Sequence, residues 1–178
     1  ESRRVRFAII SFQMKIKIIN PRTGLTLMHH GDQLIDDNGA EFPIIDDIPR
    51  FVDSENYAKS FDFQWNKFAK TQLDQAKDGH LFNQERFFAE TLWNPEKLNG
   101  QNILEVGSGA GRFSKVILEQ TLGNLYSVDY SGAVSTNKKN NYATAPDRFH
   151  LFQASIDALP FPDESFDKVF CFGVLQHT

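Results

Sequence analysis

The sequence predicts an α/β chain: a parallel sheet with flanking helices, set behind a small β-rich module and a helical connector. Three observations predict it. From residue 101 onward, short apolar runs alternate with helix-period stretches, the order expected of parallel strands joined by helices. Between residues 54 and 98 the apolar residues recur at helical spacing. Residues 14–53 break into short half-apolar runs around Asn38-Gly39, a pair that supplies the positive φ angles of a hairpin turn.

The elements follow in order. Residues 1–13, "ESRRVRFAIISFQ", carry arginines and then a short apolar run, but no small-residue cleavage site follows. They read as a leader or appended sequence ahead of Met14. In the β-rich module, "KIKII" is a first strand, "LTLM" a second, and "QLIDDNGAEFPII" a hairpin. "IPRFV" closes the module, with Pro49 confining that strand to an edge. So short a segment makes a marginal core, so the module should lean on the rest of the chain. In the connector, 54–98, Tyr57, Phe61, Trp65 and Phe68 share one helical face, with Ser54 as N-cap. That stripe reads as core packing, with Trp65 the candidate for covering a ligand. A second helix falls at about 80–92, before Pro95 and Gly100. From 99 to 178 come the strands "NILEV", "NLYSVD", "FHLFQA" and "FDKVFCFGV", separated by a helix over 112–120 and a polar helix from Ser131. Helices are expected on both faces of the resulting sheet.

Bulk properties narrow the function. The chain has 178 residues and a net charge of −4, which provides no field favouring nucleic acid. No apolar run approaches the roughly 20 residues that span a bilayer. Cys171 is the only cysteine, which excludes an internal disulfide and a cysteine-built zinc site. A buried thiol and a reducing, cytoplasmic location are the expectation.

The ligand loop is "ILEVGSGAGRF", residues 103–113. In an open parallel sheet, ligands sit beyond the carboxyl ends of the strands, near the point where strand order reverses. Four segments end there together: 105–111, Asp129-Tyr130, Ser155-Ile156 and 172–174. Gly107, Gly109 and Gly111 are spaced G-x-G-x-G, with Ser108 between the first two. A dinucleotide fingerprint needs a third glycine where Arg112 stands, and a P-loop needs a Gly-Lys-Ser/Thr ending that is absent. Glu105 would repel a pyrophosphate and suits a cationic ligand. S-adenosylmethionine carries an ammonium and a sulfonium, and its one carboxylate can be received by free N–H groups at the loop and helix N-terminus. Asp129 ends the second strand, placed to hold both ribose hydroxyls.

"ILEVGSGAGRFSKVI", "LYSVDYSGAV" and "FQASIDALPFPDESFDKVFCFGVLQHT" together resemble the class I S-adenosylmethionine-dependent methyltransferases, within them the small-molecule group called methyltransferase type 11. The resemblance covers residues 101–178 and implies a Rossmann-like sheet, C-terminally incomplete here, since four strands precede Thr178 where such sheets have about seven. It implies S-adenosyl-L-methionine as cofactor and S-adenosyl-L-homocysteine as product. By position, Glu105 and the backbone of Gly107, Ser108, Gly109 and Gly111 would hold the methionine end. Asp129 would bind the ribose and Tyr130 would pack on the adenine. Ser155 and Ile156 would edge the adenine, and the backbone at Phe172 and Gly173 would approach the amino group. Ser155 departs from the aspartate of many relatives and is a weaker acceptor for the adenine amino group.

"NPRTGLTL…GAEFPIIDDIPRFV" is similar to a zinc-ribbon-like module found ahead of some such enzymes, without its cysteines: Asn20-Pro21-Arg22-Thr23 stands in their place. The adjacent His29-His30 lack partner ligands at metal spacing, so no metal is expected. A small-molecule methyl acceptor is the expectation, with His177 the candidate base where the acceptor needs one. The other readings are a non-catalytic cofactor-binding or interaction subunit, a nucleic-acid methyltransferase, and a nicotinamide-dependent oxidoreductase. The acceptor atom and the oligomeric state are not written in these motifs.

Overall fold

The computed structural model describes residues 15–52 and 82–174. The aromatic stripe at 57–68, the leader at 1–13 and His177 lie outside the described residues. The module forms an antiparallel sheet in the order β1 (Met28–His30), β2 (Gln33–Ile35), β3 (Glu41–Ile45) and β4 (Ile48–Pro49). Helix α1 (Phe82–Thr91) and a 3-10 turn (Pro95–Leu98) lead into the second sheet. Its elements are β5 (Asn102–Val106), α2 (Arg112–Gln120), β6 (Asn124–Asp129), α3 (Ala133–Asn141), β7 (Phe149–Gln153) and β8 (Lys168–Cys171). All four strands are parallel, in the order β7-β6-β5-β8. The order reverses at β5, so the crevice that a doubly wound sheet offers a ligand lies at the carboxyl ends of β5 and β8.

The hairpin at Asn38-Gly39 is present. Gly39 adopts φ 80°, and Asp36 accepts from the backbone N–H groups of Asn38 and Ala40 at 2.9 and 3.0 Å. The run 15–19 is different from the expected strand. Ile16 and Ile18 are buried, but among the described residues the run pairs only around one bridge, Ile19 with Thr26, flanked by Asn20 N–H to the Leu25 carbonyl at 2.8 Å and Leu27 N–H to the Ile18 carbonyl at 2.9 Å. The Ile19 N–H, on the other side of the chain from that bridge, is donated to the Pro160 carbonyl at 3.0 Å, so the run lies between residues 25–27 and the loop before β8.

Period-two alternation splits the parallel sheet into two faces. Ile103, Leu125, Leu151 and Phe170 pack under the helices, around Phe87 of α1, Phe113 and Ile117 of α2, and Val134 of α3. Leu104, Val106, Tyr126, Val128 and Phe152 point the other way. Helices were expected on both faces; among the described residues they cover one. The second face is covered by the β-rich module through Ile16, Ile18, Leu27 and Leu34, and by Phe161 of the loop before β8. Each such aliphatic side chain stabilises the docking by about 1.5–3 kcal/mol when fully buried, which is how a marginal module gains a core.

The module also meets the sheet edge. Phe51 donates its N–H to the Gln153 carbonyl at 2.7 Å, beside a parallel bridge between Arg50 and Gln153. Pro49 thus does sit on an edge strand of its own sheet, and the residues after it abut the edge of β7. At the opposite side, β8 pairs only with β5 among the described residues, and Val169 is 56% exposed. Cys171 is half-buried rather than enclosed, because it lies on this edge strand; burial still pushes its thiol pKa up. No helix among the described residues is long and apolar enough to cross a membrane.

Candidate functional site

The glycine loop bends over the end of β6. The N–H groups of Gly107 and Ser108 both reach the Val128 carbonyl, at 2.8 and 3.1 Å. Two of the glycines are required for separate reasons beyond their positive φ. A Cβ on Gly107 (φ 74°) would stand 1.9 Å from Val174 Cγ2, because the chain leaving β8 crosses close over the loop. A Cβ on Gly111 (φ 88°) would stand 1.9 Å from Asn137 Oδ1 and 2.2 Å from Asn141 Nδ2.

Those asparagines were missed by reasoning from sequence. Asn140 and Asn141 donate from α3 to the carbonyls of Ala110 and Gly111, both at 2.9 Å, and Asn137 donates to Ser114 Oγ at 2.8 Å. Positions i, i+3 and i+4 share one helical face, so "NKKNN" was the available signal, in a helix otherwise poor in apolar residues. Gly111→Ala should destabilise the protein by about 2–4 kcal/mol, from the left-handed backbone and the overpacked asparagines. Urea unfolding checks it.

Glu105 shares its face with Ile103, so it points under α2. The residue is 2% exposed. Its carboxylate accepts from the hydroxyls of Ser114 and Ser127, the latter at 2.6 Å, and from the Ser114 backbone. Ser114 is in the first turn of α2, whose N-cap Gly111 offers no side chain. Glu105 therefore caps that helix from the neighbouring strand. Burial raises its pKa to about 7, with the serine hydrogen bonds and the Ser114 backbone opposing and Asp129 adding to the rise. Sequence position puts Glu105 beside the ligand loop; its carboxylate lies beneath the first turn of α2, which closes over this side of β5.

Asp129 ends β6 and reaches the loop. Its Oδ2 accepts from the Gly109 N–H at 2.7 Å, and its Oδ1 from the Ser131 N–H and hydroxyl at 2.9 and 2.6 Å. An ionised carboxylate offers about four acceptor positions, so Oδ2 has capacity for one further donor. Tyr130 is 39% exposed, beside it. Ser155 and Ile156 follow β7 and are half-buried, the Ser155 hydroxyl accepting from the Asp157 N–H at 3.2 Å. The Phe172 ring turns toward the helices, 4.9 Å from that of Phe113, and Gly173 adopts φ 71° in open space. Ser108 is 7% exposed, and its buried hydroxyl has no hydrogen-bond partner among the described residues. A buried hydroxyl in that state costs stability, and a polar ligand at the loop would relieve it. The residues present thus fit a ligand with hydroxyls to donate and a carboxylate to receive.

Residues 104–178 match a family model described as a methyltransferase domain. No curated protein matches the chain by sequence. A solved protein of Methanococcus maripaludis, described as an S-adenosylmethionine-dependent methyltransferase, superposes with a TM-score of 0.52 at 19% identity, covering 71% of this chain and 55% of that one. An S-adenosylmethionine-dependent methyltransferase of Aquifex aeolicus aligns at 21% identity over 60% of this chain and 55% of that one, with a TM-score of 0.46. Haemonchus contortus phosphoethanolamine N-methyltransferase 1, solved with phosphoethanolamine and S-adenosylhomocysteine, aligns at 20% identity over 67% of this chain and 26% of that one, with a TM-score of 0.45. The chain spans about half the length, or less, of these structures. The segment 104–178 thus matches the methyltransferase-domain family, and its parallel strand order is the fold shared with the Methanococcus maripaludis protein.

Proposed function

We propose that the chain holds the donor site of a methyltransferase acting on a small molecule in the cytoplasm. One observation carries the reading: Asp129 is hydrogen-bonded to the glycine loop, which joins a ribose acceptor and a methionine cradle in one crevice. S-Adenosylmethionine supplies a methyl group on a sulfonium, whose departure leaves a neutral thioether. The chain's own residues then bind and align. The loop from Gly107 to Gly111 receives the methionine end, with Ser108 donating to it. Glu105 serves that end from below, by holding the first turn of α2. Asp129 accepts from the ribose, Tyr130 covers one side of the adenine, and Ser155 and Ile156 edge it. The backbone at Phe172 and Gly173 closes the crevice near the amino group. Alignment and exclusion of water supply most of what such a displacement needs. His177 is the base in this reading where the acceptor is a phenol or alcohol.

The acidic balance supports a small acceptor over nucleic acid. Incubation of the protein with methyl-labelled S-adenosylmethionine and a cell extract tests this. Label is expected in the small-molecule fraction. Label in RNA or protein would overturn the acceptor class, and bound but untransferred donor would favour a regulatory binding subunit.

A further inference from the structure

We infer that Arg50, contributed by the N-terminal β-module, is a positioning residue for the adenosine half of the donor site. The inference rests on the donor reading above. Arg50 is 8% exposed and spans two elements of the parallel sheet domain. One guanidinium nitrogen donates to Gln153 Oε1 and the other to Ser135 Oγ, both at 2.9 Å. Gln153 in turn donates from Nε2 to the Tyr130 carbonyl at 3.0 Å. Its amide is therefore polarised end to end, accepting from Arg50 and donating to the loop after β6. The backbone repeats the grip: Phe51 donates to the Gln153 carbonyl, and Ala154 donates to the Asp129 carbonyl at 3.1 Å.

Geometry makes this more than docking of one module on another. Gln153 is the last residue of β7, and Ser155-Ile156 follow it directly. Tyr130 follows Asp129 directly. Both adenosine segments thus hang from one glutamine, and that glutamine is oriented by Arg50. A guanidinium suits the task because its planar donors reach two acceptors in fixed directions. The module is then part of the donor site, not an appendage to it.

The test compares wild type, Arg50→Ala and Gln153→Glu in the full chain. Calorimetric titration with S-adenosylhomocysteine and with adenosine is paired with melting temperature and ligand-free amide exchange at Ser131 and Ala154. Arg50→Ala removes both guanidinium hydrogen bonds and should weaken both ligands by at least ~10-fold. Gln153→Glu keeps a charge-assisted contact to Arg50 but cannot donate to the Tyr130 carbonyl. It should lose a similar factor while melting within about 2 °C of wild type, with faster exchange at Ser131 and Ala154. A purely structural Arg50 would instead leave the affinity of Gln153→Glu unchanged, and that result overturns the inference, as does unchanged exchange. Wild type that binds neither ligand, with exchange accelerated in the variant, would remove the donor reading and the adenosine assignment with it.

Discussion

Asp129→Ala is expected to weaken S-adenosylhomocysteine binding by at least ~100-fold. Two effects add. The ribose hydroxyls lose an ionised acceptor, and hydrogen bonds to charged groups contribute about 1.5–3 kcal/mol each. The Gly109 N–H and the Ser131 hydroxyl also lose the oxygens they now reach at 2.7 and 2.6 Å. The loop is then no longer held against the end of β6. Asp129→Asn keeps the shape and one acceptor, and should fall between the two, near ~10-fold. Calorimetric titration reads both. Equal affinity in wild type and Asp129→Ala would remove the ribose assignment.

Glu105 should dominate a second, ligand-free experiment. Its folded pKa of about 7 lies above the ordinary carboxylate value of 4.5. The stability it contributes is therefore complete below about pH 4.5 and is lost as pH rises through 7. The full span is up to ~3 kcal/mol. His150 works in the opposite sense. Burial lowers its pKa to about 4, so its contribution is present above 6.5 and lost as pH falls toward 4. The two windows overlap, and the wild-type profile alone hides each. The difference between wild type and Glu105→Gln isolates the carboxylate, since His150 is common to both. Relative to the variant, wild type should lose stability between pH 4.5 and 8, read from urea midpoints. Glu105→Ala should cost about 3 kcal/mol or more near pH 5, by leaving the Ser114 and Ser127 hydroxyls without their acceptor. A flat difference profile would show that the carboxylate is not held as the structure places it.

Much of this was legible in the sequence, for reasons that differ by residue. The strands β5 to β8 are apolar runs of strand length bounded by polar or glycine residues, and strand-final Asp129 follows from that alone. The α2 boundaries were equally open to reading, since Gly111 and the helical spacing from Phe113 bracket them. What sequence could not show was depth. Glu105 and Asp129 share one face of the sheet, but Glu105 lies inside the paired part of β5, beneath α2, whereas Asp129 stands past the last pair of β5 with β6, Val106 with Val128, at the loop. "KIKII" carries a strand's alternation, yet it pairs at a single bridge with Thr26, and its other side meets the Pro160 carbonyl, a partner more than a hundred residues away. The second sheet face needed a cover, and nothing local in the module's sequence says that the module provides it. Arg50 lay in a segment read as an edge strand; its side chain matters through Gln153 and Ser135, which no spacing links to it. The asparagines of α3 carried a helical spacing, but only the loop's position makes it a clamp.

The most direct measurement is calorimetric titration of the chain with S-adenosylhomocysteine, with NAD as control. Micromolar binding of the first, none of the second, and loss of the first in Asp129→Ala are expected. Binding of NAD, or S-adenosylhomocysteine affinity indifferent to Asp129, would contradict an S-adenosylmethionine donor site at this crevice.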